Sequence, residues 1–152
     1  MQHNELSLAQ YIIFRNGVAA GARGSMRNML YRSFGAATFA GFWRHWNPIF
    51  GYALGRYIYG PLKRAIHPAL ALLVTFVFCG AIHDAVTVVV RGAPAFLFTP
   101  WFFLLGIGVV LGRVVGMDVS AWPWLARAAV HLVYLSVCLG ITLAAIHFLS
   151  KP

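Results

Sequence analysis

Two residues in this chain are out of place for their surroundings. His83 and Asp84 stand side by side in an otherwise apolar run, Phe78-Cys79-Gly80-Ala81-Ile82-His83-Asp84. Ionisable groups in such a run are costly, and they face the interior of a helix bundle or a wet cavity. An imidazole there can bond a neighbouring helix, or it can exchange a proton near neutral pH as a general base. Successive helical residues point about 100° apart. Asp84 is therefore expected to meet a basic partner such as Arg56 or Arg127 rather than to serve His83. A second polar group, Asn47, lies in the aromatic and basic stretch Gly41-Phe42-Trp43-Arg44-His45-Trp46-Asn47-Pro48. Its side-chain amide could donate a hydrogen bond to a developing oxyanion. One base and one amide donor in a dry site suffice for acyl transfer to a hydroxyl. No serine nucleophile is needed when the acceptor attacks the acyl donor directly.

The elements that must position these groups are helices in an apolar solvent. Of the 152 residues, 61% are hydrophobic and 10% charged; soluble domains average about 45–50% and about 25%. Three stretches approach the roughly 20 apolar residues that cross a bilayer: about 67–90, 95–112 and 124–149. Arg91-Gly92-Ala93-Pro94 and residues 113–123 join them, and links this short predict antiparallel neighbours. Residues 1–64 differ in kind. They hold Arg15, Arg23, Arg27, Arg32, Arg44, Arg56, Lys63 and Arg64, eight of the 12 basic residues. Apolar positions at near-helical spacing over 6–31 predict a helix lying in the interface or at the bundle edge. Residues 39–59 mix Trp, Tyr and Arg, which favour the headgroup level, and Pro48 and Pro61 bracket a short helix. The expectation is an all-α integral membrane protein. Three transmembrane helices occupy 65–152, preceded by interfacial or re-entrant helices in 1–64.

The net charge is +9. Apolar runs of this length argue against nucleic acid as the partner. Basic residues flanking apolar spans fit anionic headgroups and the positive-inside rule instead. That rule predicts a cytoplasmic N-terminus, with a bacterial inner (cytoplasmic) membrane as the location. The opening MQHNELSLAQ lacks a basic n-region and a small-residue cleavage site, so entry through the chain's own spans is expected. Cys79 and Cys138 lie within apolar runs and read as buried hydrophobes, with neither CxxC nor zinc spacing.

The order and spacing of these pieces resemble the signature of the membrane-bound O-acyltransferases. Phe-Trp-x-x-Trp-Asn at 42–47 is followed by Arg56-Tyr57-Ile58-Tyr59-Gly60-Pro61-Leu62, and His83 comes 36 residues after Asn47. Arg32-Ser33-Phe34 resembles the lead-in. The resemblance covers residues 32–84. It implies His83 as the catalytic base, Asn47 as its polar partner, and an acyl-CoA or acyl-carrier thioester as co-substrate, with no cofactor or metal. Members of that family are usually several hundred residues long, with eight or more spans around a tunnel. A chain with three spans implies a homo-oligomer, a partner membrane subunit, or a non-enzymatic relative that binds partner helices or lipid.

Trp43, Arg44, His45, Trp46 and Arg56 are the candidate substrate-binding residues. Arg44 and Arg56 could fork onto an acyl donor's phosphate or onto lipid headgroups. The Trp residues could instead be interface anchors and His45 an interfacial imidazole. Gly108-Val109-Val110-Leu111-Gly112 is a GxxxG that permits close helix approach and self-association. A haem held between His83 and His131 on different helices is a further alternative.

Overall fold

The computed structural model describes residues 6–92 and 96–151. The opening residues 1–5 and the link residues Ala93-Pro94-Ala95 lie outside the described part. So does the start of the predicted second span. Among the described residues the structure is helical, without strands.

Residues 6–31 do not form one helix. Ser7 caps α1 (Leu8–Asn16) in a capping box with Gln10. Gly17 then ends α1 at φ 82°, and Gly21 and Gly24 also take positive φ before α2 (Ser25–Phe34) begins. These are left-handed backbones that side chains with a Cβ avoid. Apolar periodicity continued across the glycines, but the backbone could not.

Thr38 caps α3 (Phe39–His45) through a bond from the Gly41 N–H. Asn47 caps α4 (Pro48–Leu54), with Pro48 in its first turn. The expected stop at Pro61 does not occur. The chain widens into a π-helical turn (Gly55–Tyr59), in which the Gly60 N–H reaches the Gly55 carbonyl, and continues as α5 (Gly60–Ala65). Proline inside an α-helix lacks an N–H and crowds the carbonyl four residues back. A π turn is one way to absorb that conflict.

Three long apolar helices follow: α6 (Pro68–Arg91), α7 (Phe98–Val114) and α8 (Trp124–Leu149). Two of them, α6 and α8, are long and apolar enough to cross a membrane. With 17 residues, α7 spans about 25 Å, short of the roughly 30 Å hydrocarbon core. Much of α8 presents apolar side chains outward, such as Val133 (61% exposed) and Val137 (53%). Hydroxyls on these helices close on their own backbone: Thr75 on the Ala71 carbonyl, Thr87 on His83, Thr142 on Cys138. That satisfies them without water.

Asp84 departs from expectation. It bonds neither Arg56 nor Arg127 but sits 4% exposed at the start of α7. One carboxylate oxygen accepts the Leu97 and Phe98 N–H groups at 3.1 and 2.9 Å. The other accepts the Thr99 N–H at 2.8 Å and the Thr99 hydroxyl at 2.6 Å. A helix start leaves four orphan donors. Here Asp84 takes three, and Pro100 removes the fourth by having no N–H. Gly80, one turn before Asp84, permits the approach: a Cβ there would lie 2.7 Å from the Phe98 carbonyl oxygen and the Thr99 Cα.

The N-terminal helices pack on the long helices, α2 on α8 and α3 on α7. Trp124 donates to the Tyr31 carbonyl at 3.0 Å and stacks on the Tyr31 ring. His131 donates to the Ala36 carbonyl at 3.0 Å. Tyr134 donates to the Leu105 carbonyl and Trp101 to the Leu135 carbonyl, tying α7 to α8. The GxxxG glycines are covered within the chain: a Cβ at Gly108 would strike the Tyr134 ring, and one at Gly112 would touch Phe39.

Asp84→Ala strips the start of α7 of its acceptors and is expected to destabilise by about 3 kcal/mol, as unpaired buried donors do. Asp84→Asn, which keeps one acceptor oxygen, should lose less. Thermal unfolding in detergent followed by tryptophan fluorescence reads both; Asp84→Ala melting with wild type would sink this account of the cap.

Candidate functional site

Asn47 and His83 come together at one cavity. It measures about 130 Å³ and is lined on one side by Trp43, Trp46, Asn47 and Phe50, on the other by Thr75, Phe76, Cys79 and His83, with Phe102 of α7 between. Phe76, Cys79 and His83 are spaced three and four apart, which places them on one face of α6. Gly80 and Asp84 occupy the adjoining face and hold α7. One helix thus lines the site and holds the helix that carries Phe102 into it.

The His83 ring rests on Phe102 (centroids 5.1 Å apart) and Phe98 (5.4 Å), with the edge of Phe50 at 6.0 Å. Its Nδ1 lies 2.8 Å from the Cys79 carbonyl oxygen. A carbonyl only accepts, so Nδ1 carries a proton. In the neutral imidazole, Nε2 is then the nitrogen with the lone pair. This is the tautomer that a general base needs when one nitrogen is fixed and the other receives the proton.

Asn47 has φ 42° and ψ 72°, the only non-glycine positive φ among the described residues. Asn tolerates this left-handed region better than most residues. Its backbone N–H meets the Met29 sulfur at 3.3 Å, and its Oδ1 accepts the Phe50 N–H at 3.3 Å. Acceptor duty is thereby assigned to the oxygen, which leaves the Nδ2 amide as a donor. Trp46 stacks on Phe42 (5.4 Å, 15°), and Trp43 sets its edge against Phe76 (5.2 Å, 88°). Phe42, 1% exposed, is the ring on which both indoles lean.

The remaining candidates lie elsewhere. Arg44 and Arg56 line a different cavity, described below. His45 is tied down by a 2.9 Å bond between its Nδ1 and the Arg15 carbonyl. Thr75, Phe76, Cys79 and Phe50 line the site, and the sequence reading names none of them as a site residue. Helical spacing from His83 would have found Phe76 and Cys79, whereas Phe102 is brought in only by the α6–α7 contact.

His131 is fully buried against Phe39 and Phe42, with Nε2 committed to the Ala36 carbonyl. A ring sealed this way offers no face to a haem. Among the described residues, no three His, Cys, Asp or Glu side chains gather as a metal site would require.

Comparison of the chain with protein-family models, with curated proteins and with solved structures finds no match.

Burial, and then the charges of Arg15, Arg32 and Arg44, pull the His45 imidazole below its ordinary range against the opposing pull of the Arg15 carbonyl. The unfolded chain therefore binds this proton at higher pH than the folded one. The resulting stability is present above about pH 6.5 and is lost as pH falls below it. The thermal midpoint of wild type should drop between pH 7.5 and 5. His45→Asn, which can still donate to the Arg15 carbonyl, should show a shallower drop. Parallel pH profiles for the two proteins would show that His45 does not contribute.

Proposed function

We propose that the chain is an integral membrane O-acyltransferase in which His83 is the general base and Asn47 the oxyanion donor. The observation that carries this reading is their convergence on one aromatic-walled cavity. His83 is held there as the Nδ1–H tautomer, and the Asn47 oxygen is occupied so that its amide faces outward chemistry as a donor. The resemblance of residues 32–84 to the membrane-bound O-acyltransferase signature supports the same assignment. The donor is an acyl thioester, from acyl-CoA or an acyl carrier, and the acceptor is an alcohol on a lipid or glycan.

The reaction follows from the groups present. His83 Nε2 takes the proton of the acceptor hydroxyl as its oxygen bonds to the thioester carbonyl carbon. The carbonyl oxygen becomes negative, and the Asn47 Nδ2–H stabilises it. Collapse of the tetrahedral adduct breaks the carbon–sulfur bond. The thiolate leaves and takes the proton back from the imidazolium, and the products are an ester and a thiol. Trp43, Trp46, Phe50 and Phe102 keep bulk water from competing as acceptor.

The membrane setting is part of the proposal. The distribution of basic residues supports a cytoplasmic N-terminus, with α6, α7 and α8 taken as three spans. A bacterial inner membrane suits that arrangement. At about 130 Å³ the cavity holds roughly four waters' worth of liquid volume, enough for the reacting ends but not for an acyl chain. A homo-oligomer or a partner membrane subunit would complete the chamber beside the outward apolar faces. The same small volume favours the second reading, a non-enzymatic membrane subunit that retains these residues structurally and binds partner helices or lipid.

The test is transfer of radiolabelled acyl groups from a panel of acyl-CoAs to membrane lipid and glycan by the purified protein. His83→Gln should lower transfer at least about 100-fold, the lower end of what a general base contributes. Asn47→Gly keeps the left-handed backbone and removes the amide donor together with the oxygen that caps α4; in a folded variant it should cost on the order of 100-fold, as loss of an oxyanion donor does. Equal transfer by wild type and His83→Gln, or none from folded wild type, favours the subunit reading.

A further inference from the structure

A second cavity, of about 470 Å³, lies among α1, α3, α4, α5 and the end of α7. Five cationic side chains line it: Arg15, Arg44, Arg56, Lys63 and Arg113. No acidic residue is among its described lining residues. Asp118 lines a neighbouring cleft together with Arg44 and Arg113, and its carboxylate accepts the Ser120 N–H at 2.7 Å.

The sequence brings these charges together in two ways. Tyr52, Arg56, Tyr59 and Lys63 are spaced four, three and four apart, so they form one stripe along the helical run from α4 to α5. Arg15, Arg44 and Arg113 are delivered to that stripe by three other helices. Aromatic faces hold several of the heads. The Arg15 guanidinium lies 5.1 Å from the Tyr11 centroid, Arg56 lies 5.7 Å from that of Tyr52, and Lys63 lies 5.6 Å from that of Tyr59. Arg56 also donates to the Tyr52 hydroxyl at 2.8 Å. Cation–π contacts orient these heads. The like charges of Arg15, Arg44, Lys63 and Arg113 around one cavity repel one another, and a polyanion in the middle reverses the sign of that energy.

We infer that this cavity binds a ligand head carrying two phosphate groups. A single phosphate carries at most two charges and could reach only part of the ring of cations. Guanidinium forks match phosphate oxygens in pairs, and the volume falls within the range of small-ligand sites. Two sources share this chemistry: a soluble diphosphate, and a lipid such as cardiolipin whose headgroup holds two phosphates. The site shares only Gly51 with the lining of the His83 cavity, and its assignment does not depend on the acyl-transfer reading.

The test uses the purified full chain in neutral detergent at physiological salt. One arm measures equilibrium binding of radiolabelled inorganic pyrophosphate. The other counts cardiolipin adducts retained in native mass spectra after exchange against phosphatidylcholine. Lys63→Gln/Arg113→Gln removes two lining charges, and Arg23→Gln/Arg64→Gln removes two charges outside the cavity. Saturable pyrophosphate binding weakened at least tenfold in the first pair and less than twofold in the second supports a soluble ligand. Cardiolipin adducts lost in the first pair alone support a lipid headgroup. Equal losses in both pairs, or no binding in either arm by wild type with native far-UV circular dichroism, overturn the proposal.

Discussion

A single carboxylate sets the geometry of the long helices. Asp84 accepts four hydrogen bonds at the beginning of α7, three from backbone N–H groups and one from Thr99. A buried ionised group is tolerated when its hydrogen-bonding capacity is filled. The helix start contributes its own partial positive charge to the same anion. This contact fixes where α7 begins relative to α6. It thereby fixes Phe98 and Phe102, the two rings on which His83 lies. The orientation of the imidazole is a consequence of its neighbour in sequence, acting through another helix.

Phe42 does the comparable work on the other side. It packs with Phe34, Trp43, Trp46 and His131 at once. His131 in turn reaches the Ala36 carbonyl just before α3. Among the described residues, the short helices are held to α7 and α8 by stacked rings and ring N–H donors. That choice suits a chain with 12 basic residues and 3 acids, which has few carboxylates with which to pair.

The helical class and the three apolar segments were legible because hydrophobic length and composition are local signals. The approach of Asn47 to His83 was legible only through the resemblance, since nothing in the spacing of residues 47 and 83 forces them to one cavity. What could not be read depends on contacts between distant segments. Asp84 was expected to meet an arginine because charge pairs are the usual remedy for a buried acid, yet helix-start donors serve as well. Residues 6–31 kept their apolar rhythm across Gly17 and Gly24, so periodicity overrode the backbone signal those glycines carried. Arg44 and Arg56 sit in the same motif as Trp43 and Asn47. On α3, Trp43 and Arg44 point about 100° apart, which sends the indole to one cavity and the guanidinium to the other.

That divergence gives the motif its logic. Asn47 interrupts the chain in a left-handed conformation between α3 and α4. Non-glycine residues held there carry a local cost that the surrounding packing must offset. The interruption lets α3 present Trp43 toward α6 while α4 begins a new axis and carries its Tyr52–Lys63 stripe away on the opposite side. The polar residue at the break then lies where the two axes meet, at the edge of the aromatic cavity with its oxygen turned to the Phe50 N–H. Position and chemistry at residue 47 are therefore one requirement: a side chain that tolerates positive φ, caps the next helix with an oxygen, and still has an N–H to offer.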